Sequence, residues 1–150
     1  MRNARAQVAV ALAPEAARAL WSDPGRWASF VEGFARVREV SDDWPNQGAK
    51  LVWESIPAGR GRVTERVVES GERSFATEVF DESLHGTQRT RFEPVEGGSR
   101  VVAELEYELT KYGPLRALAD VLFIRRALRD SLRRTLGRFA VEAEDEAGLR

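Results

Sequence analysis

Apolar and polar residues alternate along most of the chain up to Thr110, and beyond that point the spacing changes to every third or fourth residue. The run QVAVAL within Ala6–Leu12 reads as a strand stopped by Ala13-Pro14. Pro14 suits the first position of a helix and Glu15 its first turn, so PEAARALW is expected to be helical at once. Ser22-Asp23-Pro24-Gly25 ends that helix, and a second short helix is expected over Arg26–Val31, closed near Gly33. Six strands should follow: Ala35–Ser41, Lys50–Ile56, Arg62–Glu69, Ser74–Asp81, Gly86–Glu93 and Arg100–Thr110. The breaks between them, such as Pro57-Ala58-Gly59-Arg60-Gly61 and Glu96-Gly97-Gly98-Ser99, are short, which implies antiparallel hairpins. After Tyr112-Gly113-Pro114 one long helix is expected to run to about Glu142, leaving a tail frayed from about residue 144. Strands grouped between helices make an α+β chain, and no linker or repeat divides residues 1–150, so one domain is expected.

Strand parity carries the first hint of a site. Val101, Ala103, Leu105, Tyr107 and Leu109 alternate with Glu104, Glu106 and Glu108, which puts the glutamates in water. On the preceding strand the less charged set is Gly86, Gln88, Thr90 and Phe92, so Gln88 and Thr90 should point inward. The same argument turns Val63, Glu65 and Val67 inward with one carboxylate, and Phe75, Thr77 and Val79 with one hydroxyl. A buried polar group without a partner costs about 1–3 kcal/mol, so this many together imply a cavity that holds water or a ligand.

The segment DVLFIRRALRDSLRRTLGRF contains six arginines and two acids. At about 100° per residue, Leu118, Ile124, Leu128, Leu132, Leu136 and Phe139 share one direction, and Arg126, Arg129, Arg133, Arg134 and Arg138 oppose it. That is a core-packing helix with a solvated basic face. Arg125 falls inside the apolar sector, where a guanidinium needs a carboxylate, a ligand or a cavity mouth. Leu115, Leu122 and Phe123 lie off the stripe and could line a pocket, form a lid, or contact a second copy or a membrane.

Composition narrows the chemistry. Lys+Arg at 23 against Asp+Glu at 24 leaves a net charge of −1, so the chain as a whole has no attraction for nucleic acid. With no cysteine and one histidine, disulfides, thiol nucleophiles and zinc sites fall away, and no cofactor is called for. No stretch approaches the roughly 18 apolar residues of a membrane span, and the N-terminus lacks a secretory pattern, which makes the cytoplasm the expected compartment.

VAVALAPEAARALWSDPGRWASF resembles the opening of the polyketide cyclase/dehydrase branch of the START-like (SRPBCC) superfamily, with its alanine-proline helix start and its Asp-Pro-x-Arg-Trp turn. GTQRTRFEPVEGGSRVVAELEYEL is similar to that family's penultimate hairpin. The resemblance implies a helix-grip fold: a seven-stranded antiparallel sheet curled around the long helix, leaving a deep, largely apolar cavity for lipids, quinones or polyketides. Its motifs are turns and core positions, so it assigns no catalytic residue.

By position in that fold, ligand contacts are expected from Trp27, Phe30, Trp53, Glu65, Phe75, Thr77, Gln88, Thr90, Phe92, Tyr107, Leu118, Leu122 and Arg125. Glu65 and Arg125 could form an interior pair that orients a ligand, or a structural salt bridge, or stand apart if the register shifts. His85 should lie outward, and Asp42-Asp43 is a turn feature, not a metal site. The first expectation is a binding protein for a hydrophobic small molecule, monomeric or homodimeric. The alternatives are an aromatase/cyclase in which Arg125, Tyr107 or Glu65 polarises carbonyls or moves protons, and an interaction module that meets a protein or an anionic membrane peripherally.

Overall fold

The structure, a computed structural model, describes residues 2–110 and 118–149, with side chains from all of these except 118–121. Its order is β1 (Arg2–Val10), α1 (Pro14–Trp21), a 3₁₀ helix (Pro24–Ser29), β2 (Phe34–Val40), β3 (Lys50–Ser55), β4 (Arg62–Ser70), β5 (Ser74–Phe80), β6 (Leu84–Val95), β7 (Gly98–Leu109) and α2 (Leu118–Glu146). The strands form one antiparallel sheet in the order β1-β7-β6-β5-β4-β3-β2. Every neighbour from β2 to β7 is consecutive in sequence, and only β1 crosses over, to pair with the last strand from Arg2↔Tyr107 to Val10↔Ser99. The sheet curls around α2, which is the helix-grip architecture.

The element boundaries depart from the sequence pattern in three informative places. β1 starts at Arg2, four residues before the expected Ala6, because β7 is long enough to pair with Arg2 to Arg5. The second short helix is a 3₁₀ helix shifted toward the N-terminus, with Pro24 in its first turn and the Asp23 side chain accepting from Gly25 N at 3.0 Å. α2 continues through Glu146 instead of fraying after Glu142, since Arg26 of the 3₁₀ helix donates to Glu142 Oε2 at 3.1 Å and to Glu146 Oε2 at 2.8 Å. The helix start expected after Pro114 lies outside the described residues.

Two glycines are demanded by geometry. Gly97, at φ +84°, turns the two-residue β6–β7 hairpin between the paired Val95 and Gly98. Gly86 has no room for a side chain, because a Cβ there would lie 2.0 Å from Glu106 O of β7.

The core follows the parities. Val101, Ala103, Leu105 and Tyr107 are buried, as are Phe75, Thr77 and Val79 on β5 and Val63 and Val67 on β4. α2 buries Leu132, Leu136, Phe139 and Ala143, spaced four, three and four residues apart. Phe139 meets Trp21 of α1 edge-on at 5.2 Å and Phe30 at 5.0 Å, while Trp21 and Phe30 stack at 5.6 Å. These three rings join the first helix, the 3₁₀ turn and the last helix. Phe139→Ala should therefore lower stability by about 3–5 kcal/mol in urea denaturation, and a loss below about 1 kcal/mol would mean that α2 is not gripped there.

Candidate functional site

Between the concave face of the sheet and α2 lies a cavity of about 90 Å³. One wall is aromatic and apolar: Trp21, Trp27 and Phe30 come from the helical layer, Phe75 and Val79 from β5, and Leu105 from β7. Trp27 is set by a hydrogen bond from its Nε1 to Trp21 O at 2.9 Å. A second wall is the junction of Val31 and Glu32 with Leu128, Ser131, Leu132 and Thr135 of α2, where Glu32 N donates to Thr135 Oγ1 at 3.0 Å.

The remaining end is polar, and β4 supplies its centre. Glu65 Oε2 accepts from Trp53 Nε1 at 2.7 Å, and Oε1 accepts from Thr77 Oγ1 at 2.9 Å. Burial pushes the Glu65 carboxyl above its ordinary value of 4.5, against the two hydrogen bonds and the positive charge of Arg60, which all favour the ionised form. Arg60 stands in the turn between β3 and β4. Its Nε donates to Asp81 Oδ2 at 2.7 Å, and its guanidinium lies 6.0 Å from the Trp53 ring centroid. Asp81 is itself held, since its Oδ1 accepts from Ser83 N at 2.9 Å and Leu84 N at 3.0 Å. Arg60 Nη2 and Thr90 Oγ1 are buried without a hydrogen-bond partner among the described residues. The cavity end thus offers an acid held largely out of water, a fixed guanidinium donor and a hydroxyl, a set suited to an oxygen function on an otherwise apolar molecule.

Eight of the thirteen residues expected at a ligand site line this cavity: Trp27, Phe30, Trp53, Glu65, Phe75, Thr77, Gln88 and Thr90. Phe92 and Tyr107 point inward and are 1% and 0% exposed, but they are packed into the core away from the cavity. The side chain of Leu118 lies outside the described residues, and Leu122 is 55% exposed. Arg125 is also exposed and donates from Nε to Asn3 O at 3.2 Å. The apolar sector of α2 there lies over the backbone of edge strand β1, not over the cavity, and a long guanidinium side chain reaches that carbonyl from the solvent side. No Glu65–Arg125 pair forms, and the cation that acts on Glu65 is Arg60.

Arg60 escaped the sequence pattern because its turn reads only as a break; the available signal was a lone cation between two glycines. Trp21, Val31, Glu32, Val79, Leu105 and the α2 residues Leu128, Leu132, Ser131 and Thr135 also line the cavity. The two hydroxyls, four residues apart beside the leucine stripe, were a legible sign of a polar surface there. His85 lies outward with its ring stacked on Phe80 at 6.1 Å, in keeping with its strand parity. The cavity is far smaller than the deep pocket that the family resemblance implies, because five large rings, those of Trp21, Trp27, Phe30, Trp53 and Phe75, occupy its walls.

Glu65 makes stability depend on pH with a definite sign. A carboxyl whose folded value is raised binds its proton more tightly in the native state, so stability falls as pH climbs from 4.5 through the folded value. Glu65→Gln should remove that decline, so that the difference in unfolding free energy between variant and wild type grows in favour of the variant from about pH 4 to about pH 7. Parallel urea titrations across that range check it, and a constant difference would place the Glu65 carboxyl in ordinary solvent.

Among curated proteins no sequence matches the chain. Among solved structures, a di-domain aromatase/cyclase, StfQ of the steffimycin biosynthetic pathway, superposes with TM-score 0.77 at 17% identity, covering 97% of this chain and 51% of that one. A protein from Thermus thermophilus superposes with TM-score 0.76 at 17% identity, covering 97% and 99% of the two chains. The Zhui aromatase/cyclase of a Streptomyces species gives TM-score 0.73 at 18% identity, covering 97% and 95%. These likenesses establish the shared fold. Residues 1–144 match the family described as polyketide cyclase/dehydrase and lipid transport, and the chain belongs to that family.

Proposed function

We propose that the protein binds a small hydrophobic molecule of the lipid, quinone or polyketide-like class in the cavity beneath α2, with an oxygen function of the ligand at the Arg60–Glu65 end. The observation that carries this reading is the pairing of an aromatic wall with buried polar atoms that lack partners, Arg60 Nη2 and Thr90 Oγ1. Family membership supports it. A volume of about 90 Å³ is room for about three water molecules. Small-molecule sites span about 300–1,000 Å³, so binding requires a wall to move. The sheet side is locked by strand ladders. The Glu32 side is held to α2 by one backbone hydrogen bond and by surface ion pairs to Arg134 and Arg138, which contribute little in water. Ligand entry accordingly proceeds by parting Val31-Glu32 from Ser131 and Thr135.

A second reading, an aromatase/cyclase-type enzyme, draws on the acid at the cavity end. A carboxyl raised by burial beside a fixed guanidinium is suited to hold a proton near a carbonyl oxygen and to exchange it. In that reading Glu65 moves the proton and Arg60 polarises the oxygen, while Arg125 and Tyr107 take no part.

Native mass spectrometry of the purified protein should recover a bound apolar molecule, and Leu128→Trp, which puts a larger ring into the cavity wall, should lower occupancy about tenfold with folding intact. Unliganded wild type that also fails to take up an added quinone or fatty acid would sink the binding reading. Turnover of a linear poly-ketone that disappears in Glu65→Gln while binding persists would establish the enzyme; wild type without turnover leaves the binding protein.

A further inference from the structure

The arginines of α2 divide into two sets. In the C-terminal half Arg134 and Arg138 bond to Glu32, and Arg133 lies 3.8 Å from Asp130. In the N-terminal half Arg126 and Arg129 are exposed and have no ion pair among the described residues, and among those residues Arg125 bonds to the backbone of Asn3. Leu122, Arg125, Arg126 and Arg129 stand at spacings of three, four and seven residues and therefore share one face. Beside them is Phe123, which at 72% is more exposed than any other large hydrophobic residue described, with Leu122 at 55%. Two exposed apolar side chains thus sit within a group of three cations on a chain whose net charge is −1.

We propose that this end of α2 docks on the surface of an anionic lipid bilayer, with Leu122 and Phe123 entering the headgroup boundary and Arg125, Arg126 and Arg129 meeting lipid phosphates. Charge decides the occupant. A symmetric contact between two copies would bring the same arginines face to face, whereas an anionic surface neutralises them. The arrangement is that of an interfacial helix end, apolar rings flanked by cations, and not of a spanning segment. Among the described residues no helix is long and apolar enough to cross a membrane. The patch lies on the same helix as Leu128, which lines the cavity, so docking would bring that wall close to the lipid phase. The inference rests on the surface alone and stands or falls independently of what the cavity holds.

Vesicle flotation of the full chain tests it. The protein should float with vesicles of phosphatidylcholine mixed with phosphatidylglycerol, not with phosphatidylcholine alone, and added salt should weaken the binding. Leu122→Ser/Phe123→Ser and Arg126→Glu/Arg129→Glu should each reduce binding at least about tenfold, with circular dichroism unchanged. Arg66→Glu, a charge reversal on the exposed face of β4, should reduce it far less than Arg126→Glu. Equal losses in Arg66→Glu and Arg126→Glu, flotation unaffected in Leu122→Ser/Phe123→Ser, or no flotation by wild type overturn the proposal. So does a wild-type dimer that becomes monomeric in Leu122→Ser/Phe123→Ser without any vesicle binding, which assigns the patch to a second copy.

Discussion

The packing of Phe139 against Trp21 and Phe30 is the contact on which the other features depend. Each ring comes from a different helical element, and together with Leu132 and Leu136 they hold α2 against the curl of the sheet. Apolar burial is non-directional, so the leucines alone would let α2 slide along the groove. Edge-on aromatic contacts with fixed centroid distances, and the Arg26 bonds to Glu142 and Glu146 one turn further on, set its position. The cavity exists only because α2 stands where it does, and its second wall is the next turn back along the same stripe.

The polar end of the cavity is a local exception to that apolar logic. A lone carboxylate on an inward strand position would be strongly unfavourable, and the sheet answers with neighbours from two other strands, Trp53 and Thr77, that donate to both oxygens. The same constraint explains Asp81, whose acceptor sites are divided between its own turn and Arg60. That division fixes the guanidinium while leaving one nitrogen unsatisfied. Unsatisfied polarity of this kind beside aromatic surface is costly for folding alone, and Arg60 Nη2 and Thr90 Oγ1 are where that cost falls here.

The two halves of α2 answer to different surroundings. From Leu132 onward the helix buries one face, through Leu132, Leu136, Phe139 and Ala143, and its arginines find carboxylates on the 3₁₀–β2 turn or on the helix itself. Around Leu122 to Arg129 it lies over an edge strand, where apolar and basic side chains remain in solvent. One continuous helix therefore serves as core element at one end and as an open surface at the other.

Strand parity, the leucine spacing and the turn residues made the α+β architecture and five of the cavity residues, Glu65, Phe75, Thr77, Gln88 and Thr90, legible in advance, because periodicity fixes which side of a strand or helix a residue occupies; Trp27, Phe30 and Trp53 were expected only from the family resemblance. It cannot say what stands opposite. Glu65 was readable as inward from alternation alone, but its partner was not: the helical wheel offered Arg125, and the fold supplied Arg60 from a turn whose sequence signals only a change of direction. Likewise Leu122 and Phe123 read equally well as pocket or surface until the helix was laid over β1. Parity, propensity and turn chemistry act over a few residues and are written in the chain; which charge meets which, how large the cavity is and which apolar side chains stay exposed depend on contacts between residues far apart in sequence, and only the assembled sheet and helix decide them.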